Sequence, residues 1–287
     1  MTPLSFEVLL DRHERILDWF RRNGVTQHHR FEQHRNRIRS WLAMDPSNRS
    51  ELNEADRRQL LWSVCESIEL VDAIDPIAGK HPDSHLTDRL KEAVEGPSDL
   101  YSETSSSNRG RNILFELVIA GACVRAGLPI EFGTNPDITV HFEGQDIHIQ
   151  CKRPFTAEAI ARNLRDAGKQ LRRDQTKEGP KALQLIALSV SRLFNGGDRL
   201  MVIRSEDELR ASLEAELGKV VSRTAPDIET LKRYGVSAIW LQAGSPLAIA
   251  NAHPRFTFRQ AGGVVPVAAS TKDEERLRRL AKLIKFC

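Results

Sequence analysis

Apolar positions recur at helical spacing through roughly the first hundred residues and change to strand-like alternation beyond them. Phe6, Leu9, Leu10, Ile16 and Phe20 share one helical face, and Leu60, Leu61, Val64, Ile68 and Val71 share another. Residues 1–98 are therefore expected to form a helical domain. The following stretch, 95–110, is polar, small and turn-rich, and reads as a linker or mobile loop. A helix is predicted over 108–126, stopped by Gly127 with Pro129 beyond it. Strands are expected at 128–132, 137–142 and 145–152, a helix at 156–173, and a strong apolar strand at 183–191. A turn at 195–198, a helix at 206–221, a strand at 236–242 and a terminal helix from Asp273 complete the pattern. This order argues for an α/β (α+β) fold, a mixed sheet flanked by helices, over 99–287.

Alternation also sorts the side chains of the two central strands. Ile138, Val140 and Phe142 fall on one face of the first, and Ile147, Ile149 and Cys151 on one face of the second. The opposite faces carry Asp137, Thr139 and His141, then His148, Gln150 and Lys152. Glu143-Gly144 suits a two-residue hairpin turn, although Asn-Gly or Asp-Gly is a stronger signal. Pairing Phe142 with Gln145 places Asp137 opposite Gln150, and directly opposed Cβ atoms lie roughly 4.5–5.5 Å apart. Two oxygen-bearing side chains so placed, with a lysine two positions on, can hold a hard cation and an attacking water. The plain alternative is the wet face of an ordinary hairpin.

Composition narrows the classes. The chain has 287 residues, 40% hydrophobic and 28% charged, enough for one large domain or two modest ones. Its net charge of +3 says little about partners. Cys65, Cys123, Cys151 and Cys287 are far apart and form no CxxC pair, which fits a reduced, cytoplasmic setting without a zinc site. No signal peptide or apolar membrane span is legible, and no Walker loop, dinucleotide fingerprint, HExxH or GxSxG is present.

Glu116 stands inside Ile113-Leu-Phe-Glu-Leu-Val-Ile-Ala120, a helix apolar on nearly every side. A buried carboxylate without a partner is costly, so something should need its charge. Arg109 or Arg111 could supply a structural ion pair, and a catalytic site is the functional explanation. The order Glu116, Pro136-Asp137, Gln150-x-Lys152 resembles the PD-(D/E)xK nuclease superfamily, which includes type II restriction enzymes and Holliday-junction resolvases. The predicted elements over about 105–192 look like that superfamily's core. Ile149-Gln-Cys-Lys-Arg-Pro154, followed by a helix with Ala167 and Gln170, is similar to its frequent "ECKRP" segment. Gln150 departs from the usual carboxylate, as in the glutamine variants of Mrr-like restriction enzymes and of some heteromeric transposases.

The resemblance implies a restriction-endonuclease-like core and Mg²⁺-dependent cleavage of nucleic acid, DNA foremost, with Mn²⁺ as a substitute, in defence or recombination. It implies that Asp137, the amide oxygen of Gln150 and the backbone carbonyl of Cys151 ligate the metal, that Glu116 acts through water, and that Lys152 orients the nucleophile. Arg153, within the same segment, is expected to contact nucleic acid.

Charge distribution supports that substrate separately. From Lys152 to Lys181 there are nine Lys or Arg and four Asp or Glu, a net of +5. In the predicted helix, Ile160, Leu164, Ala167 and Leu171 form an apolar stripe opposite Arg162, Arg165, Lys169, Arg172 and Arg173. A second basic stretch contains Arg21, Arg22, His28, His29, Arg30, His34, Arg35, Arg37 and Arg39. It reads as a solvated helical face, and its histidines lack metal-ligand spacing. The competing functional classes are a nuclease-fold module that binds without cutting, and a structural or regulatory protein whose N-terminal helices hold a partner protein or a second copy.

Overall fold

The protein was described from a computed structural model covering residues 5–79, 83–99, 102–104, 107–133, 135–178, 182–194, 201–249 and 256–284. Four helices come first: α1 (Phe6–Arg22), α2 (His29–Ala43), α3 (Glu54–Ile74) and α4 (Ser84–Ala93). Their starts follow local chemistry, since Asn53 accepts from Asp56 N–H at 2.9 Å ahead of α3, and Asp83 from Leu86 N–H at 2.7 Å ahead of α4. Next come α5 (Arg109–Arg125), β1 (Ile130–Phe132), β2 (Ile138–Phe142), β3 (Gln145–Lys152), α6 (Ala159–Glu178) and β4 (Leu183–Ser189). The chain continues through α7 (Ser191–Phe194), β5 (Met201–Ile203), α8 (Glu206–Thr224), α9 (Ile228–Arg233), β6 (Ala238–Ile249), β7 (Phe256–Pro266) and α10 (Thr271–Leu283).

The mixed α/β architecture and the N-terminal helical region are both present. The seven strands form one sheet ordered β1-β2-β3-β4-β6-β5, with β7 also paired to β6. β1, β2 and β3 run antiparallel in sequence, whereas β3, β4 and β6 are mutually parallel. The long β6–β7 pair and the short β5 are additions to the predicted pattern. The predicted turn at 195–198 lies outside the described residues.

Three apolar clusters hold these layers. The first joins α1–α4 through Leu17, Phe20, Phe31, Leu70, Ile74 and Leu90. The second packs Phe115, Ile119 and Cys123 of α5 and Leu277 and Leu280 of α10 on the Ile138, Val140, Ile147 and Ile149 face. The third packs Ile160, Leu164, Ala167 and Leu171 of α6 on Ile186, Leu188, Ile239 and Leu241. Helix α5 belongs to two of these clusters, because its Leu114, Leu117 and Val118 lie in the N-terminal one. It crosses α3 closely at Gly121, where an added Cβ would meet Asp72 O at 2.5 Å. The helical region is thus packed directly against the sheet's covering helix.

Two expectations change here. The first residues of the segment 95–110 are fastened: Arg30 donates to Glu95 O at 2.8 Å, Arg111 to Pro97 O at 3.0 Å, and Arg37 to Ser98 O at 3.2 Å. Arginines from two helices satisfy the carbonyls that a turn-rich segment leaves over. The basic face of α2 is likewise not solvated throughout, since His28, Arg30 and His34 are buried. His28 Nδ1 meets Thr26 O at 3.0 Å, whereas Arg30 and His34 face Glu66 of α3, which Arg30 meets at 3.4 Å and Arg111 at 3.0 Å. His34 lies 3.9 Å from the same carboxylate, but burial keeps its pKa well below the ordinary range, so it is neutral there.

Candidate active site

The β2–β3 hairpin sets the geometry. Glu143 and Gly144 have φ of 50° and 69°, the two positive values that a tight type I′ turn requires, and Glu143 is held by Arg279 at 2.7 and 2.8 Å. Phe142 pairs with Gln145 and Ile138 with Ile149, the register read from the sequence. One residue beyond the ladder, Asp137 Oδ2 accepts from Gln150 Nε2 at 2.6 Å and from Cys151 N–H at 2.8 Å. The Asn135–Pro136 peptide before it is cis.

The face carrying these residues is not the wet one expected of a simple hairpin. His148 and Gln150 are each 2% exposed, because β3 is an interior strand and α6 packs over it. His148 Nδ1 meets Gln184 Nε2 at 3.3 Å, while His141 remains near the surface beside Asp146 at 2.7 Å. Both histidines therefore have protein partners.

Glu116 reaches the same end of the sheet from the middle of α5. Its Oε2 lies 2.9 Å from Arg89 Nη1, and Arg89 Nη2 donates to Asp137 O at 3.0 Å and to Gly133 O. Arg89 is thus the cation that a buried Glu116 requires. The nearer arginines in sequence are engaged elsewhere, Arg109 with Glu92 and Arg111 with Glu66 and Glu103. Arg89 belongs to α4, and its only advance signal is the general rule that a buried carboxylate needs a counter-charge.

Burial pushes Glu116 up to about 8, the nearby Asp137 charge adds to the rise, and Arg89 and Lys152 oppose it incompletely. Burial also raises Asp137, against the opposing effects of Cys151 N–H, Lys152, Arg89 and Gln150. Such shifts occur in functional sites and also in structural ion-pair networks.

The donor set suits a hard divalent cation. Two carboxylates and the Gln150 amide oxygen are of the ligand type that Mg²⁺ and Mn²⁺ take, although the groups that face Asp137 Oδ2 are the Gln150 amide nitrogen and the Cys151 N–H. Gln150 Oε1 is buried without a hydrogen-bond partner, as a ligating oxygen would be before its ion arrives. Among the described residues, no three His, Cys, Asp or Glu side chains form a metal-holding group. Gln150 and the Cys151 carbonyl would therefore have to supplement Asp137 and Glu116.

The predicted basic contacts divide. Arg162, Arg165, Lys169 and Arg172 are exposed along α6, with Arg165 also 3.4 Å from Asp227 and Lys169 3.9 Å from Asp166. Helix α6 reaches the loop before Asp137, where Asn135 Nδ2 donates to Gln170 O at 3.3 Å. Arg153 differs: it pairs with Glu69 of α3 at 3.1 Å, with its side chain only 10% exposed. Arg153, expected to contact nucleic acid, has its guanidinium engaged by Glu69, which lies against the end of β3.

A cavity of about 410 Å³ opens just past Lys152, lined by Phe155, Ile160, Val190, Arg192, Lys219 and Arg223 among others. The Arg192 guanidinium lies 3.7 Å from the Phe155 ring centroid. Its parts come from three separate elements, so no single sequence motif announces it. Comparison with protein-family models, curated proteins and solved structures finds no match for this chain.

Proposed function

We propose that this chain is a divalent-metal-dependent nuclease of the PD-(D/E)xK kind, cleaving phosphodiester bonds in DNA. The observation that carries the reading is the junction of Asp137, Gln150 and Glu116 at the end of β3, with the buried Gln150 Oε1 left unpartnered. Asp137, Gln150 and Glu116 are three of the four motif positions on which the sequence resemblance rests, and the fourth, Lys152, acts electrostatically on both carboxylates.

In this reading Asp137, Gln150 Oε1 and the Cys151 carbonyl hold Mg²⁺ or Mn²⁺, with Glu116 acting through water. When bound, the ion would act as a Lewis acid on the phosphoryl group. Lys152 Nζ places positive charge where the attacking water and the developing phosphate charge need it. Asp137 is fixed by two donors, Gln150 Nε2 and Cys151 N–H, so it is oriented before substrate arrives. Glu116, with a pKa of about 8, is positioned to exchange a proton near neutral pH.

Nucleic acid as substrate draws support from the exposed cations of α6 and from the cavity beyond Lys152. Arg223 there adds positive charge, while Arg192 covers the Phe155 ring and pairs with Glu103, and Lys219 pairs with Glu216. A role in defence or recombination fits this chemistry. Among the described residues, no helix is long and apolar enough to cross a membrane. Cys65, Cys123 and Cys151 are free thiols, in keeping with the proposed cytoplasmic setting.

A second reading is a nuclease-fold module that binds nucleic acid or a partner without cutting. It is favoured by the neutral amide at Gln150 and by Arg89, which already engages Glu116. Incubating the purified chain with plasmid, linear duplex, single-stranded DNA and RNA, with Mg²⁺, Mn²⁺ or EDTA, separates the two. Metal-requiring cleavage that disappears in Asp137→Ala is expected. Binding without cleavage under every condition would establish the second reading instead.

A further inference from the structure

Arg89 enters the candidate site from outside the sheet domain. It sits on α4, stacks 5.6 Å from the Phe132 ring centroid, and spans the Glu116 carboxylate and two carbonyls of the loop before β2. Its side chain is only 13% exposed, and its Nε is buried without a hydrogen-bond partner. A guanidinium so enclosed is fixed in place by packing as well as by charge.

Formal charges show what this accomplishes. Asp137 and Glu116 contribute two negative charges when ionised, and Arg89 and Lys152 contribute two positive ones. Even with both carboxyls ionised, the two cations leave an arriving metal ion no net negative charge. With Arg89 absent, the ionised pair would leave one negative charge over. Arg89 and a divalent ion also need the same oxygens, since Glu116 Oε2 is already 2.9 Å from Nη1.

Building on the metal-site reading above, we propose that Arg89 is the site's resident counter-cation. It holds Glu116 before metal binds and competes with the ion for that carboxylate, keeping the metal affinity of the nucleic-acid-free protein low. Arg89 is a positioning residue in this scheme, acting through Glu116 and the loop that carries Asp137. The N-terminal helical region thereby becomes part of the site, because α4 supplies the competing charge.

The test is a calorimetric Mn²⁺ titration of the full chain without nucleic acid, using wild type, Arg89→Gln, Arg89→Lys and Asp137→Asn, each checked for folding by circular dichroism. Competition between two cations for one carboxylate is a coupling, so Arg89→Gln should bind Mn²⁺ at least about fivefold more tightly than wild type. Asp137→Asn should lose binding. Equal or weaker affinity in Arg89→Gln, with binding still lost in Asp137→Asn, overturns the role of Arg89 and leaves the metal site standing. No binding by wild type or Arg89→Gln overturns the metal-site reading and this inference together. If Arg89→Gln does not fold, Arg89→Lys decides. A lysine cannot span Glu116 and both carbonyls, so tighter binding than wild type is expected, and unchanged or weaker binding refutes the proposal.

Discussion

Glu66 on α3 and Glu116 on α5 are both shielded from water on neighbouring helices, yet their protonation is driven in opposite directions. Burial would raise Glu66, but Arg111 and Arg30 outweigh it and hold the carboxyl at about 2. Burial and the Asp137 charge push Glu116 up to about 8, and Arg89 and Lys152 do not compensate. The Glu66 cluster is balanced in charge, although Glu66 Oε2, Arg30 Nη2 and Arg111 Nη1 also lack hydrogen-bond partners; Arg111 lies over the Trp62 ring at 4.8 Å and pairs with Glu103, which Arg192 meets from the other side. The Glu116 cluster places two carboxylates together and leaves an amide oxygen without a partner. A protein that needed only a stable ion pair at α5 could have repeated the Glu66 solution. The difference separates a charge-balanced network that joins helices from one in which two carboxyl groups are left under-compensated.

The contrast can first be broken by removing Glu66. Glu66→Ala leaves Arg30 and Arg111 buried without their shared carboxylate and should cost about 3–5 kcal/mol of stability, read from the denaturant midpoint. A loss below about 1 kcal/mol would make that network as dispensable as an exposed ion pair.

A smaller effect is expected from Glu116→Gln, and it should depend on pH. The folded-state pKa of about 8 lies above the ordinary 4.5, so the folded protein keeps this proton after the unfolded chain has lost it. Wild-type stability relative to the variant is therefore greatest below about 4.5, falls as pH rises, and levels off above about 8. Unfolding curves of both proteins across that range should shift in the variant's favour. A shift toward wild type would mean that Glu116 is stabilised as a carboxylate, as Glu66 is.

The smallest effect concerns the exposed cations of α6. Neutralising Arg165 and Lys169 should weaken DNA binding across sequences and reduce the slope of log affinity against log salt by about 2. An unchanged slope would assign both residues to solvated surface, Arg165 serving Asp227 and Lys169 serving Asp166.

Much of the site was readable because local rules govern it. Alternating apolar positions and a two-residue turn specify the β2–β3 register, which in turn brings Gln150 to Asp137. Glu116 is conspicuous because it interrupts an apolar helix. Glu66 interrupts the apolar run around Val64, Ile68 and Val71 in the same way, and that signal points equally to the buried basic residues of α2. What stayed hidden depends on tertiary contact. Arg89 lies in an ordinary amphipathic helix, 27 positions before Glu116 and 48 before Asp137. Arg153 sits where the motif suggests a nucleic-acid contact, but only the packing of α3 reveals Glu69 beside it. Residues 95–98 of the linker-like segment are held by arginines whose side chains arrive from α2 and α5.

The central claim is that the Glu116 end of the sheet is chemical where the Glu66 cluster is structural, and Lys152→Ala tests it most directly. Lys152 ends β3 beside the paired carboxylates and carries the charge assigned to the reacting phosphate. Measured on plasmid DNA with Mg²⁺, the folded variant should lose cleavage by at least about a hundredfold relative to wild type. Full wild-type cleavage by Lys152→Ala would contradict the account and remove the nuclease chemistry from this site.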